Sequence, residues 1–289
     1  MLVPTIEIKI FGIEQRIGMK VSVIIPTYKP QSYLWVCLDS LCAQTFPRDD
    51  FEVILVLNGC KEPYDTEIRE YVQRHGDIQF VYQQTEQGGV SNARNMALDV
   101  ARGEFVAFID DDDYVSPSYL QELYEVADKD TIALAYPCAF NDGCSQQIPY
   151  AITKTYTALA RHGRMPFSSK VRRYFNGPCM KLIPMSFIQQ IRFDIRFSNG
   201  EDSLFMFLIS DKFKYVDFTS DKAIYYRRYR TGSAVTSKKS VSYALKNTLM
   251  LIRAYSAIYF RHPFRYSCNL YINRICACLK TLVLEFWNT

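Results

Sequence analysis

The sequence lacks several features that would assign it to a class at once. No run of 18 apolar residues is present, which predicts that no helix spans a membrane. The N-terminus lacks the basic-then-apolar layout of a signal peptide, so we expect a cytoplasmic protein. The nine cysteines show no paired or metal-ligand spacing, which indicates reduced thiols. A net charge of only +4 gives no reason to expect nucleic acid as a partner.

What the chain does contain is a regular alternation of strand and helix patterns. With 289 residues, 48% of them hydrophobic, it can bury a full core. Short apolar runs that predict buried strands lie at 21–25, 51–57, 78–82 and 105–109, with segments of helical periodicity between them. This order predicts an α/β fold with a mostly parallel, Rossmann-like central sheet flanked by helices. One further strand is predicted at 131–136. Residues 138–178 are expected to be rich in loops, and helical periodicity dominates from 241 onward.

Four consecutive aspartates, Asp110 to Asp113, follow the apolar run at 105–109. Open α/β sheets bind their ligands at the carboxyl ends of the strands, so this cluster lies where a ligand is expected. Adjacent carboxylates repel one another, and Mg²⁺ or Mn²⁺ would relieve that repulsion and bring substrate phosphates with it. A solvated acidic turn before the next helix explains the spacing equally well. The surrounding residues have to decide between the two interpretations.

Several segments together resemble a known family. Residues 21–28 (VSVIIPTY), 91–95 (SNARN) and 108–113 (FIDDDD) are followed by RFD at 192–194, GED at 200–202 and the stretch from Tyr226 to Ser233. In this order, these segments are similar to those of the family 2 glycosyltransferases of the GT-A fold. The resemblance implies a GT-A domain with a C-terminal helical extension. It also implies a metal-dependent, inverting transfer of a sugar from a nucleotide diphosphate to a hydroxyl acceptor.

The resemblance also divides the chain by function. Residues 19–137 are expected to bind the nucleotide-sugar and residues 138–239 the acceptor, whereas residues 1–18 form an extension of doubtful role. Residues 240–289 are expected to form amphipathic helices in which basic residues alternate with aromatic and aliphatic ones. Such helices suit a peripheral contact with the anionic inner leaflet of a membrane. A helical cap on the catalytic domain or a dimer contact explains them equally well.

For the carboxylates, the resemblance implies two kinds of role. Asp110 and Asp112 match the D-x-D positions, with Asp112 as the direct metal ligand, Asp110 nearer the ribose and Asp113 as an extra ligand. Asp111 is the variable middle position, assigned to the donor site or to solvent. The metal, Mn²⁺ or Mg²⁺, would stabilise the charge on the leaving diphosphate. Asp202 matches the base that takes the acceptor's proton, although any carboxylate that starts a helix is favoured by the helix dipole.

The other candidates surround the donor and the acceptor. The expected nucleotide-sugar contacts are Pro26, Thr27, Tyr28, Asn58, Arg94, Asn95, Arg228, Arg230 and Ser233. Arg228 and Arg230, with Ser233, resemble the family's loop that closes over the diphosphate, and their guanidinium groups suit a forked contact with it. Arg94 is assigned either to the nucleotide or to bracing the site. For Asn95, a buried structural role is the alternative. Lys181 and Glu201 are assigned to the acceptor side, and a surface position is the alternative for Lys181.

One departure from the family concerns the nucleotide. Leu57 and Asn58 stand where the family usually has aspartates that bind the base, which weakens the usual preference for uridine. UDP-sugar remains the expected donor, and the expected acceptor is a saccharide or a lipid-linked molecule of surface-polysaccharide assembly.

Two competing functions differ in what they require. A nucleotidyltransferase would need a glycine-rich basic loop after the first strand, and PTYKP at 26–30 is not such a loop. A catalytically silent relative that binds nucleotide or protein partners is compatible with Leu57 and Asn58. The intact Asp110, Asp112 and Asp202 favour the enzyme.

Overall fold

The computed structural model describes residues 18–144, 146–230 and 240–287, and its centre is an eight-stranded sheet. The strands are β1 (Val21–Thr27), β2 (Phe51–Asn58), β3 (Gln79–Thr85), β4 (Phe105–Phe108), β5 (Tyr114–Val115), β6 (Thr131–Leu134), β7 (Tyr136–Asn141), β8 (Gln147–Ile148), β9 (Met165–Pro166), β10 (Lys181–Pro184), β11 (Tyr215–Phe218) and β12 (Ile224–Tyr229). The helices are α1 (Ser32–Cys42), α2 (Tyr64–Arg74), α3 (Val90–Val100), α4 (Tyr119–Val126), α5 (Ala151–Leu159), α6 (Met185–Ile188), α7 (Glu201–Leu208), α8 (Val241–Arg261) and α9 (Cys268–Trp287).

The large sheet has the strand order β3-β2-β1-β4-β10-β6-β11-β9. Strands β1 to β4 pair in parallel, as do β6 and β11, whereas β10 runs antiparallel to β4 and β6, and β9 antiparallel to β11. β1 and β2 are buried along their whole length, as expected of strands in a parallel sheet covered on both faces. The predicted mostly parallel sheet is therefore confirmed.

The segment after residue 130 differs from the prediction. The run 131–136 is not one strand: β6 lies in the large sheet, and β7 starts at Tyr136 in a second sheet of order β5-β12-β7-β8. The change occurs at Ala135, whose N–H donates to the carbonyl of Met180. The region expected to be rich in loops also contains β7, β8, α5 and β9, which are too short or too polar to show periodicity in the sequence.

The C-terminal helices pack on the helix that carries Asp202. Leu204 and Phe207 of α7 form a small apolar core with Leu251 and Tyr255 of α8, and α9 completes it. None of the helices in the described ranges combines the length and the hydropathy needed to cross a bilayer. The start of α7 is thus supported by the C-terminal helices. The large sheet takes strands from both residues 19–137 and residues 138–239. The division of the chain into a donor-binding and an acceptor-binding part therefore remains a prediction.

Gly103, between α3 and β4, provides a test of this packing. A Cβ built on Gly103 would lie 2.4 Å from the backbone nitrogen of Ser22. The backbone of a central strand can shift only at a cost in free energy. We expect Gly103→Ala to lower the free energy of unfolding by about 2 kcal/mol. Chemical denaturation measures this, and Gly76→Ala, whose Cβ meets nothing closer than 3.8 Å, is the matched control. Equal stabilities of the two variants would contradict the close approach.

Candidate active site

The four aspartates lie at the carboxyl end of β4, next to the end of β1. Thr27, the last residue of β1, donates a hydrogen bond from Oγ1 to Oδ2 of Asp111 at 2.5 Å. Asp113 is buried, and both its oxygens accept hydrogen bonds at 2.7 Å, one from the Tyr225 hydroxyl and one from the Arg228 backbone N–H. Asp113 thereby ties the cluster to β12. These contacts use Asp113 as a structural anchor, and its role as an extra metal ligand remains a prediction.

Burial of these carboxylates makes their negative charge unfavourable. Burial raises the pKa of Asp111 to about 7, with the neighbouring carboxylates adding to the effect and Thr27 opposing it. Burial and the charge of Asp110 raise the pKa of Asp112, and the same causes hold that of Asp113 well above its usual range. A cation bound at this end of the sheet would favour the charged forms. The cluster therefore has the electrostatics of a cation site.

Arginines from β12 and the residue after it compensate part of this charge. Arg230 donates from Nε to Oδ2 of Asp112 at 2.6 Å, and its guanidinium lies over the ring of Tyr33. Arg228 donates to the backbone carbonyl of Asp112 and, at 2.7 Å, to the carboxylate of Asp142. Both predicted diphosphate-binding arginines therefore reach the aspartate cluster. Ser233, predicted for the same loop, lies outside the described residues.

Arg94 links the aspartate cluster to α7. Its guanidinium donates to Oδ1 of Asp110 at 2.9 Å and to Oδ1 of Asp202 at 2.5 Å, and the residue is only 2% exposed. Asp202 lies in the first turn of α7, after Gly200, which has a φ of +91°. Burial raises the pKa of Asp202, whereas the charge of Arg94 lowers it. One buried cation thus holds the D-x-D strand and the predicted base together.

Other predicted donor-site residues occupy the ends of β1 and β2. Pro26 is buried within β1, and the ring of Tyr28, half exposed, lies over Gly59. The side-chain amide of Asn58 donates to the Thr27 carbonyl at 2.7 Å and accepts from the Gly89 backbone N–H at 2.9 Å. In this structure Asn58 fixes the loop around the predicted nucleotide site. Its contact with the base remains a prediction.

Asn95 makes a reciprocal pair of hydrogen bonds with the backbone of Phe193, each 2.8 Å long. The ring of Phe193 stacks on Phe205 of α7 at 3.9 Å and meets Phe108 of β4 edge to face. Asn95 therefore positions an aromatic residue that packs against both β4 and α7. This geometry matches the structural alternative considered for Asn95, while contact with the nucleotide remains a prediction.

Lys181, on β10, is completely buried, which excludes the surface alternative. Its Nζ donates to the carbonyls of Gly177 at 2.7 Å and Cys179 at 2.6 Å. A Cβ built on Gly177 would lie 3.6 Å from Oδ2 of Asp202, so Lys181 holds the loop against which the Asp202 carboxylate rests. Glu201, beside Asp202, is also buried. Contact of either residue with an acceptor remains a prediction.

The buried Lys181 predicts a specific pH dependence of stability. Burial lowers the pKa of Lys181 to about 7, whereas in the unfolded chain it is 10.5. Between these values the unfolded chain binds more protons, so this group makes the protein more stable as pH rises. Relative to Lys181→Met, the wild type should gain about 1 kcal/mol between pH 7.5 and 8.5 in denaturant titrations. A pH-independent difference would show that the lysine is not buried as described.

A family model described as Glycosyl transferase family 2 matches residues 22–192, more than half of the chain. The chain belongs to glycosyl transferase family 2. This confirms the family predicted from the sequence, and with it the classification as a glycosyltransferase.

Two curated relatives and one solved structure illustrate the similarity. The poly(ribitol-phosphate) beta-N-acetylglucosaminyltransferase TarS of Staphylococcus aureus strain Mu50 is 28% identical over 222 residues, which cover 76% of this chain and 37% of TarS. The chain therefore spans little more than a third of that relative. The glycosyltransferase GlyG of Streptococcus pneumoniae strain TIGR4 is 27% identical, with 78% of this chain and 75% of GlyG covered. The structure of S. aureus TarS 1–349 with UDP-GlcNAc matches with a TM-score of 0.68 at 26% identity, covering 82% of this chain and 67% of that one. The predicted GT-A fold is confirmed.

The aspartates can be tested against the metal that the family suggests. Within the part of the chain that the structure describes, no three His, Cys, Asp or Glu side chains are arranged as a complete metal site. Mg²⁺ commonly binds proteins through one or two carboxylates and takes further ligands from substrate phosphates and water. Asp110 and Asp112 supply such carboxylates, and burial together with the charge of Asp110 raises the pKa of Asp112, an effect that a bound cation would oppose. The donor set therefore fits a divalent cation that binds together with a diphosphate.

Sequence reasoning missed several residues that shape this site. Tyr225 bridges the cluster by accepting from the Asp110 backbone N–H at 3.2 Å and donating to Asp113. Tyr33 lies under Arg230, and Asp142 pairs with Arg228. Tyr225 directly precedes the stretch from Tyr226 that carries the family resemblance, and this position was the one signal that could have identified it. Nothing in the spacing of Tyr33 or Asp142 distinguishes them from surface residues.

Proposed function

We propose that the protein transfers a sugar from a UDP-sugar to a hydroxyl group of a polysaccharide acceptor, with inversion at the anomeric carbon. The observation that carries this proposal is the contact of Arg94 with both Asp110 and Asp202. Through that contact, the carboxylate of the donor site and the predicted base bind the two terminal nitrogens of one guanidinium. A single displacement requires this proximity, because the base must reach the acceptor while the acceptor attacks the donor sugar.

On the donor side, Asp112 and Asp110 would hold Mg²⁺ or Mn²⁺, and the cation would stabilise the charge that develops on the leaving diphosphate. Arg228 and Arg230 now bind the aspartate cluster. A guanidinium group can bind two phosphate oxygens with the same pair of hydrogen bonds that it makes to a carboxylate. We infer that Arg230 releases Asp112 and binds the diphosphate when the donor binds.

On the acceptor side, Asp202 takes the proton of the attacking hydroxyl. Its carboxylate has one oxygen engaged by Arg94, which leaves the other, Oδ2, beside Gly177. Lys181 donates hydrogen bonds to two backbone carbonyls of that loop. The orientation of the Asp202 carboxylate therefore depends on both Arg94 and Lys181. General base catalysis requires a carboxylate held in this way within reach of the proton.

The relatives support a choice of nucleotide and acceptor. TarS is named as an N-acetylglucosaminyltransferase acting on poly(ribitol-phosphate), and its structure contains UDP-GlcNAc. We infer UDP as the nucleotide, an N-acetylhexosamine or hexose as the sugar, and a hydroxyl-rich surface polymer or its lipid-linked precursor as the acceptor. Asn58 carries no charge and so differs from the aspartate usual at this position in the family. Recognition of uridine would then depend on the loop that Asn58 holds in place.

Thermal shifts with UDP, GDP, dTDP and CMP, each with and without Mn²⁺, test the donor proposal. A ligand present at a hundred times its Kd stabilises the folded state by about 2.7 kcal/mol, so the correct nucleotide raises the melting temperature. We expect a shift with UDP that requires Mn²⁺, and at least a tenfold weaker affinity, about 1.4 kcal/mol, in Asp112→Ala. Asp221→Ala, which changes an exposed aspartate, is the control.

The panel also separates the proposal from its alternatives. A shift with another nucleotide would overturn the choice of UDP while leaving the transferase intact. No shift with any nucleotide would favour the catalytically silent relative. A shift that persists in Asp112→Ala would show that the metal ligands are assigned wrongly.

A further inference from the structure

Helices α8 and α9 expose large apolar side chains to solvent. Leu249 and Phe260 of α8 are 59% and 68% exposed, and Val283 and Trp287 of α9 are 57% and 85% exposed. Globular domains usually place such residues on the inner face of an amphipathic helix. Here the inner faces are already formed by other residues, among them Leu251, which packs against α7.

Five exposed residues of α9 form a continuous stripe. Ile272, Cys276, Leu279, Val283 and Phe286 are all exposed and follow one another at spacings of four and three residues. This spacing places them on one face of a helix. The opposite side of α9 holds the buried Leu270 and Arg274. α9 thus packs on the protein through one side and presents an apolar stripe on the other.

The charge of this region is strongly one-sided. Residues 240–289 contain six lysines and arginines and a single acidic residue, Glu285. Arg265 pairs with Asp211, and Arg274 is buried on the carbonyl of Phe175. The other four cations have no ion pair with any described residue: Lys246, Arg253, Arg261 and Lys280. The exposed apolar stripe is therefore accompanied by uncompensated positive charge.

We propose that the outer surface of α8 and α9 docks on an anionic lipid bilayer, with both helices lying in the plane of the interface. Apolar residues entering the headgroup region and cations facing anionic lipids are the two contributions that hold such helices on membranes. The charge argues against a second copy of this chain as the occupant, because that contact would bring two positive surfaces together. This inference is independent of the identity of the donor sugar.

The docked orientation has a consequence for the site. Gly200, directly before α7, lies so close to α8 that a Cβ there would be 2.7 Å from Leu251. The helix that carries Asp202 therefore rests on the docking helices themselves. Docking would hold the acceptor side of the site close to the bilayer, where an acceptor on a lipid carrier would be found.

Tryptophan fluorescence of the full chain provides the test. The sequence has two tryptophans, and Trp35 stacks on Tyr71 in α2, so Trp35→Phe leaves Trp287 as the sole reporter. We expect a blue shift of its emission with vesicles of phosphatidylcholine and phosphatidylglycerol. The shift should be much weaker with phosphatidylcholine alone and should be reduced by salt. No shift with the anionic vesicles would overturn the proposal.

Variants locate the surface. In vesicle co-sedimentation, Lys280→Gln should weaken binding about fivefold, and Leu279→Glu with Val283→Glu more than tenfold. Val36→Glu, at an exposed apolar residue of α1, is the matched control and should bind like the wild type. The changed residues are exposed, so the melting temperatures should stay unchanged. If the double variant melts early, Lys280→Gln alone still tests the surface.

Two results would reject the lipid surface. Vesicle binding that is equal in all variants would place the contact elsewhere on the chain. A dimer in analytical ultracentrifugation that Leu279→Glu with Val283→Glu dissociates, without vesicle binding by the wild type, would show that the stripe is a subunit contact.

Discussion

Asp202→Asn is expected to lower kcat by about a thousandfold while the affinity for UDP stays within a factor of about two. General bases contribute two to four orders of magnitude, and an amide of the same size cannot accept the acceptor's proton at neutral pH. The amide oxygen can still accept from Arg94, so the packing of α7 should survive. The loss should therefore fall on the chemical step, as single-turnover kinetics with a UDP-sugar would show.

The pH profile strengthens this test. Asp202 acts only when it is charged, so activity should fall as the pH decreases through its pKa. Burial raises that pKa above the value of 3.8 for an ordinary aspartate, which moves the acid limb towards higher pH. The residual activity of Asp202→Asn should lack this limb. Asp99→Asn, at an exposed carboxylate that pairs with Arg192, is the control and should keep both the rate and the limb.

Full activity in Asp202→Asn would reject this residue as the base. An equal loss of activity and of UDP affinity would show instead that the substitution damaged the donor site through Arg94. Only a loss confined to turnover supports a base on the acceptor side.

The order of elements and the acidic strand end could be predicted from the sequence for one physical reason. Both depend on local patterns: the apolar run at 21–25 must be a buried strand, and Asp110 to Asp113 directly follow another one. The division of the predicted strand at 131–136 between two sheets, and strand β8, could not be predicted in the same way. Their pairing is decided by contacts such as that of Ala135 with Met180, which leave no periodic signal.

The site shows the same limit at the level of single residues. The resemblance identified Arg94, Asp110 and Asp202, but it did not reveal that one guanidinium binds both carboxylates, since the three are far apart in the chain. For Lys181, which the resemblance assigns to the acceptor side, the sequence leaves a surface position as the alternative because lysine is rarely buried. Its burial follows from two backbone carbonyls that face inward, and carbonyl positions cannot be read from side-chain types.

Arg94→Met is expected to affect stability and catalysis together. The guanidinium is buried, and its removal leaves two neighbouring carboxylates without their shared cation. Removal of one partner from a buried ionic contact destabilises proteins by about 3 kcal/mol or more, and we expect about 3 kcal/mol because both aspartates remain about one-third exposed. Denaturant titration measures this loss. Arg192→Met, which removes the surface pair with Asp99, should cost less than about 1 kcal/mol.

The catalytic effect of Arg94→Met should differ from that of a purely structural change. Without Arg94, the pKa of Asp202 should rise further, because the charge that lowers it is lost while burial and Asp110 still raise it. The acid limb of the activity profile should therefore move to higher pH, with kcat reduced at neutral pH even in the folded fraction. Adding Asp202→Asn should recover part of the lost stability, since one unpaired charge is removed. A limb that stays in place, with additive stability losses, would show that Arg94 does not position the base.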